Sequence, residues 1–137
     1  MNAFVTIHQH LWQSFRRLPL WVQIWMAGIL VPVNLVSLGL LHYPSARMVA
    51  IAALLALGSN MVLLYRYAGF NRLMAIPHLL IWGPLQVMLL LYLAANASVT
   101  PPYEAIYVSL VLIVNGISLC FDLLDSWRWY QGGREVF

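Results

Sequence analysis

Apolar residues gather into four runs, residues 20–41, 46–65, 73–95 and 105–124, separated by short polar or proline-containing connections. Each run matches the ~20 residues that a helix needs to cross a bilayer core ~30 Å thick. None alternates with the period of two that a barrel strand requires. In lipid, where the backbone must pair with itself, such runs form helices. The predicted fold is therefore an all-α integral membrane protein, an antiparallel bundle of four transmembrane helices occupying residues 19–130.

The segment before the first run has a different pattern. Phe4, Ile7, Leu11, Phe15 and Leu18 recur at helical spacing, while Thr6, Gln9, His10, Gln13, Ser14 and Arg17 take much of the opposite face. With Trp12 and the Arg16–Arg17 pair, residues 1–18 read as an amphipathic helix lying at the membrane interface. Its first basic residue is Arg16 and no small-residue cleavage site is well placed, so it is expected to be retained rather than removed as a signal peptide. Residues 131–137, after the last span, are expected to form a cytoplasmic tail.

Within the runs, local chemistry refines the helices. Pro32 removes a backbone bond and should bend the first helix. Ala52, Ala56 and Asn60 follow one another at i, i+4, i+8 in the second, with Ala46, Ala50 and Ala53 on a neighbouring line. Small residues at that spacing let backbones approach closely, marking this helix as the centre of the bundle or a dimer face. Gly83-Pro84 predicts a second kink, in the third helix, freeing the Leu80 carbonyl. Gly132-Gly133 should stop the fourth.

Composition agrees with this plan: 63% of residues are hydrophobic and only 8% charged, too apolar for a soluble domain of 137 residues. The net charge of +3 describes topology rather than a basic ligand. Arg16, Arg17, Arg66, Arg72, Arg128 and Arg134 fall in the first flank, the second connection and the C-terminal tail, and Arg47 alone falls on the other side. The positive-inside rule then makes both termini cytoplasmic, with Arg16, Arg17, Arg66, Arg72 and Arg128 as anchors. Basic residues interleaved with aromatics are lacking, so nucleic acid is not an expected partner. Cys120, the single cysteine, reads as packing.

Six polar residues interrupt the runs. At ~1.5 Å per residue, Asn60, His78 and Asp122 come within about 10 Å of the cytoplasmic edge, and Asn34, Gln86 and Asn115 lie nearer the midplane. His78, Trp82 and Gln86 share a helix face at i, i+4, i+8, and Asn115, Ser118 and Asp122 share one at i, i+3, i+7. Such alignment is what a bundle interior requires. Asn60, His78 and Asp122 form a candidate cluster or proton relay, because ionisable groups inside a span are expensive to keep without a use. The competing reading is interhelical hydrogen bonding that holds the helices in register. Asp122 is also within reach of Arg66, Arg72 or Arg128, and Asp125 is positioned to meet Arg128 at i, i+3.

No catalytic set is expected. Phosphate-cradling loops, nucleophile elbows and Ser/His arrangements are missing from the sequence. His42 and His78 fall at different depths, so one haem iron cannot join them, and no metal or cofactor is predicted. Length and four spans resemble the small multidrug-resistance transporters. Those proteins carry a membrane-embedded glutamate in the first helix, where this chain has Gln23 and Asn34 and no acid. The chain is not assigned to them. The sequence therefore predicts a small non-catalytic accessory or assembly subunit of a bacterial inner membrane, acting as a homo-oligomer or beside a membrane-protein partner. The alternative is a small channel or proton-linked transporter.

Overall fold

The structure, a computed structural model, describes residues 3–137, and every long element in it is a helix. Met1 and Asn2 of the interfacial segment, and the side chains of Ala3 and Phe4, lie outside the described residues. Helix α1 covers Ala3–Arg17. Four helices long and apolar enough to cross a membrane follow: α2 over Leu20–Gly39, α3 over Pro44–Tyr67, α4 over Arg72–Asn96 and α5 over Pro102–Tyr130. All four overlap the predicted runs. Helix α5 starts earlier and ends later than its run, and at ~1.5 Å per residue its 29 residues exceed the ~30 Å core.

Each helix begins and ends where its sequence allows. Pro44 and Pro102 occupy the first turns of α3 and α5, where a missing N–H leaves nothing unpaired. The Asn71 side chain caps the 3₁₀ turn that opens α4 by accepting from the Leu73 N–H at 3.0 Å. Helix α5 closes in a Schellman arrangement. The Gly133 N–H donates to the Arg128 carbonyl at 2.9 Å and the Gly132 N–H to that of Trp129 at 3.1 Å, with Gly132 at φ +102°.

Helix α2 is the irregular one. Its Trp25–Leu30 stretch is a π-helix, and the Val31 N–H donates to the Met26 carbonyl five residues back. The segment widens just before Pro32, whose ring clashes with the carbonyl four residues earlier in an α-helix. The widening also resets the phase of the helix. Trp25 and Asn34 are nine residues apart, about 180° around an ideal α-helix, yet both bond to α5. Helix α4 runs on through Pro84.

The core is built from Ala46, Val49, Ala52 and Ala56 of α3, Trp82, Leu85 and Leu89 of α4, and Val108, Val111 and Val114 of α5, with Leu30 of α2 against them. The alanine stripe of α3 is thus covered within the chain, which excludes it as a dimer face. Outside this core Leu80, Val62 and Ile106 are each about two-thirds or more exposed, the surface expected where the surroundings are hydrocarbon.

At one end, three segments interlock. Ser14 of α1 is buried and its Oγ accepts from the Phe70 N–H at 2.7 Å, while the Phe137 N–H donates to the Phe70 carbonyl at 2.9 Å and Asn71 bridges Val136. A Cβ on Gly69 would lie 2.5 Å from a Val136 methyl and 2.7 Å from Ser14 Oγ, so only glycine fits there. Residues 131–137 are therefore a strap folded back under the α3–α4 turn rather than a free tail.

Candidate functional site

Asn60, His78 and Asp122 stand on α3, α4 and α5, and the structure brings all three together. Asn60 is there because α3 packs its small residues inward, and four positions beyond Ala56 the same face carries the amide. Stacking fixes the imidazole of His78: its ring lies on Trp82, one turn further along α4, with centroids 4.3 Å apart and planes 4° from parallel. Asn60 Nδ2 sits 2.6 Å from His78 Nε2, and His78 Nδ1 lies 3.4 Å from Asp122 Oδ1 and 3.3 Å from Oδ2. An ionised carboxylate only accepts, so Nδ1 donates to Asp122, and in the neutral ring Nε2 accepts from the Asn60 amide. The contact to Asp122 is longer than the ~2.7–2.9 Å of a strong charge-assisted bond.

This chain of groups is not saturated. Asn60 Oδ1 and Trp82 Nε1 have no hydrogen-bond partner among the described residues, although the two residues are only 8% and 4% exposed. Beside Asn60 lies a cavity of about 460 Å³, bordered by Asn60, His78 and Asp122 and by Trp21, Trp25 and Met26 of α2. At its far rim Arg72 Nε lies 3.6 Å from Asp125 Oδ1, and Arg128 reaches the same oxygen at 3.8 Å, the i, i+3 contact read from the sequence. Arg72 also bonds the Glu135 carboxylate and lies over the Phe137 ring at 5.5 Å. The partner of Asp122 is thus His78 rather than Arg66, Arg72 or Arg128, because the strap and Asp125 hold Arg72 further out.

In the second layer one pair closes on itself, while Gln86 Oε1 is buried without a hydrogen-bond partner among the described residues. Asn34 and Asn115 exchange two amide bonds, at 2.8 and 3.0 Å, and Asn34 also donates to the Leu30 carbonyl at 2.9 Å. Gln86 does not join this pair. Its Nε2 donates to the Leu112 carbonyl at 2.9 Å, close to Gly116, where a Cβ would lie 3.1 Å away. Between the layers Trp25 Nε1 donates to Ser118 Oγ at 2.9 Å.

A third cluster lies at the opposite end from the strap. Glu104, 1% exposed, accepts through Oε1 from Ser45 Oγ at 2.5 Å and from the Tyr92 hydroxyl at 2.9 Å. Sequence reasoning missed it because the predicted fourth span begins one residue later. The signal was present: Glu104 stands eleven residues, three helical turns, before Asn115 on the same face, just after a Pro at the helix start.

The arginine anchors fall as the element ends dictate. Arg16 and Arg17 close α1 and Arg66 lies in the last turn of α3, all three exposed. Among the described residues no three His, Cys, Asp or Glu side chains converge on a point where a metal ion would sit. His8, on α1, meets the Tyr65 hydroxyl at 3.2 Å and stands apart from His78 in these contacts. Comparison with protein-family models, with curated proteins and with solved structures gives no match.

Proposed function

We propose that this chain is a non-catalytic, multi-pass membrane protein that serves as an accessory or assembly subunit, as a homo-oligomer or within a larger membrane complex. Its four spans run antiparallel in a bacterial inner membrane, with α1 in the cytoplasmic headgroup layer and both termini cytoplasmic. The clustering of six of the seven arginines in the segments around the α3–α4 turn and strap supports that orientation. The observation that carries the functional reading is that two of the buried polar clusters are satisfied within the chain. Asn34 and Asn115 satisfy one another, and Glu104 is satisfied by Ser45 and Tyr92. A hydrated path would need polar groups free to meet water, and the Asn34–Asn115 pair and the Glu104 cluster offer few.

A second reading has one specific observation in its favour. The His78–Asp122 pair borders a cavity of about 460 Å³, an arrangement that suits a proton-linked transporter or small channel. Reconstitution separates the two. On the accessory reading, proteoliposomes carry no proton or cation flux above empty vesicles, and photo-crosslinkers at Leu54 or Ile113, both lipid-facing, give one discrete adduct in native membranes. Flux that disappears in both His78→Ala and Asp122→Asn, with helix content intact, would defeat it.

A further inference from the structure

The inner half of α2 stands off from the rest of the molecule. Leu20–Ile24 contributes no buried residue, and the π-helical stretch that follows is tied to α5 by the Trp25–Ser118 bond. Behind it the cavity of about 460 Å³ adjoins a second of about 380 Å³, the two sharing Met26, Leu30, Asn60, Phe70, Met74 and His78. Together they form one cleft with two chemically different ends. Between α2 and α3 it reaches Leu54, Leu57 and Met61, which are 55%, 50% and 39% exposed on the apolar face of the bundle. At the other end it reaches Arg72, Asp125 and Arg128. A cavity of several hundred Å³ with apolar walls and a few converging polar groups has the form of a small-molecule site.

Two of the polar atoms left over in the cleft specify the head of the occupant; a third, Asp122 Oδ2, makes no hydrogen bond but faces His78 Nδ1 at 3.3 Å. Asn60 Oδ1 is an acceptor and Trp82 Nε1 a donor, both unpartnered among the described residues and both on residues more than nine-tenths buried that line the cleft. A buried polar atom without a partner costs about 1–3 kcal/mol, so a pair of them in one cleft calls for a ligand. A hydroxyl group donates and accepts at once and answers both. Charge excludes a phosphate head. Arg72 is engaged by Asp125 and Glu135, Arg128 by Asp125, and Asp122 adds a further acid to the same wall. Water would pair with the two atoms but would not fill an apolar cleft that opens toward hydrocarbon.

We propose that the cleft behind α2 binds one neutral lipid whose head carries a hydroxyl, with that head at Asn60 and Trp82 and its tail leaving past Leu57 and Met61. The hydroxyl can belong to an alcohol, as in a diacylglycerol, or to a phenol, as in a prenylated hydroquinone. The test uses the purified full chain in phosphatidylcholine nanodiscs and reads retained lipid by native mass spectrometry, with no partner protein and no flux measurement, so its outcome is separate from the accessory reading. Dioleoylglycerol and a prenyl hydroquinone kept reduced are offered in separate arms. One molecule per chain is expected in at least one arm, and a preference above tenfold between them identifies the source. Acetylating the hydroxyl of the retained lipid is expected to lower retention at least tenfold, with no change in the protein. Trp82→Phe, which keeps the ring stacked on His78 and removes the N–H, is expected to lower it about fivefold. Retention of neither lipid, equal retention of the acetylated form, or equal retention of phosphatidylglycerol overturns the proposal.

Discussion

Asn34 and Asn115 show how much of a buried polar contact in lipid depends on what remains when one side is removed. Their two reciprocal bonds leave neither amide in need of anything else from that neighbour. Truncating one strands the other, at a cost of about 1–2 kcal/mol on a scale where single interhelical bonds in membranes average near 0.6. Asn34→Ala is therefore expected to lower unfolding stability by about that amount in a denaturant titration of the micellar protein. The Asn34→Leu, Asn115→Leu double variant should recover most of the loss, because an apolar pair leaves nothing unpaired. A double variant that loses the sum of two single losses would show that the pair does more than satisfy itself. At this scale the sequence was informative wherever several polar residues shared one face: Asn60, His78 and Asp122 do meet, as do Asn34 and Asn115. It was uninformative where partners are chosen by distances of an ångström or two. Gln86 therefore bonds a backbone carbonyl, and Glu104, hidden by a boundary set one residue too late, turns out to be among the most buried groups of all.

Helix ends and irregular turns carry the next level of information. Ala68 ends α3 in the left-handed region, at φ 53° and ψ 32°, the one non-glycine residue with positive φ among those described. A Cβ in that conformation costs roughly 1–2 kcal/mol, which glycine avoids. Ala68 is exposed, so nothing opposes the change. Ala68→Gly is expected to raise stability by about 1 kcal/mol in the same titration, net of the extra entropy glycine brings to the unfolded chain. The neighbouring Gly69 cannot exchange roles with it, since Ser14 and Val136 occupy the space of its Cβ. Proline and alanine patterns made an irregularity in α2 near Pro32 and the packed face of α3 legible beforehand. That the irregularity takes the form of a π-helical widening was not legible, because Pro32 announces only a disrupted ladder, and the two partners on α5 that Trp25 and Asn34 reach are not identified by sequence alone.

Over the whole molecule, the strap, α1 and the α3–α4 turn form a single interlocked end, and its polar fastening is Arg72 with Glu135. Hydrogen bonds donated to the Glu135 carboxylate by its own backbone N–H and by the Arg72 guanidinium hold that carboxyl below its ordinary value of 4.5. A depressed carboxyl contributes its stabilisation in full above the ordinary value and loses it as pH falls through the lowered one. Amide hydrogen exchange in residues 131–137 should therefore be slow at neutral pH and accelerate, after correction for intrinsic rates, below the ordinary carboxylate range. Glu135→Gln should exchange faster than wild type at neutral pH, and a strap equally protected at pH 3 and pH 7 would show that Phe137 and Val136 hold it alone. The same fastening has a consequence in the order of synthesis. Glu135 follows Arg72 by 63 residues, which a ribosome working at about 5–20 residues per second completes only several seconds later. On the orientation proposed above, Arg72 would be an unneutralised cation while the first three spans are inserted, able to hold the turn between α3 and α4 on its own side of the membrane. Its counter-charges, Asp125 near the end of the fourth span and Glu135 beyond it, arrive only as that span is completed, so on that orientation one side chain would serve first as a signal for topology and later as a clasp.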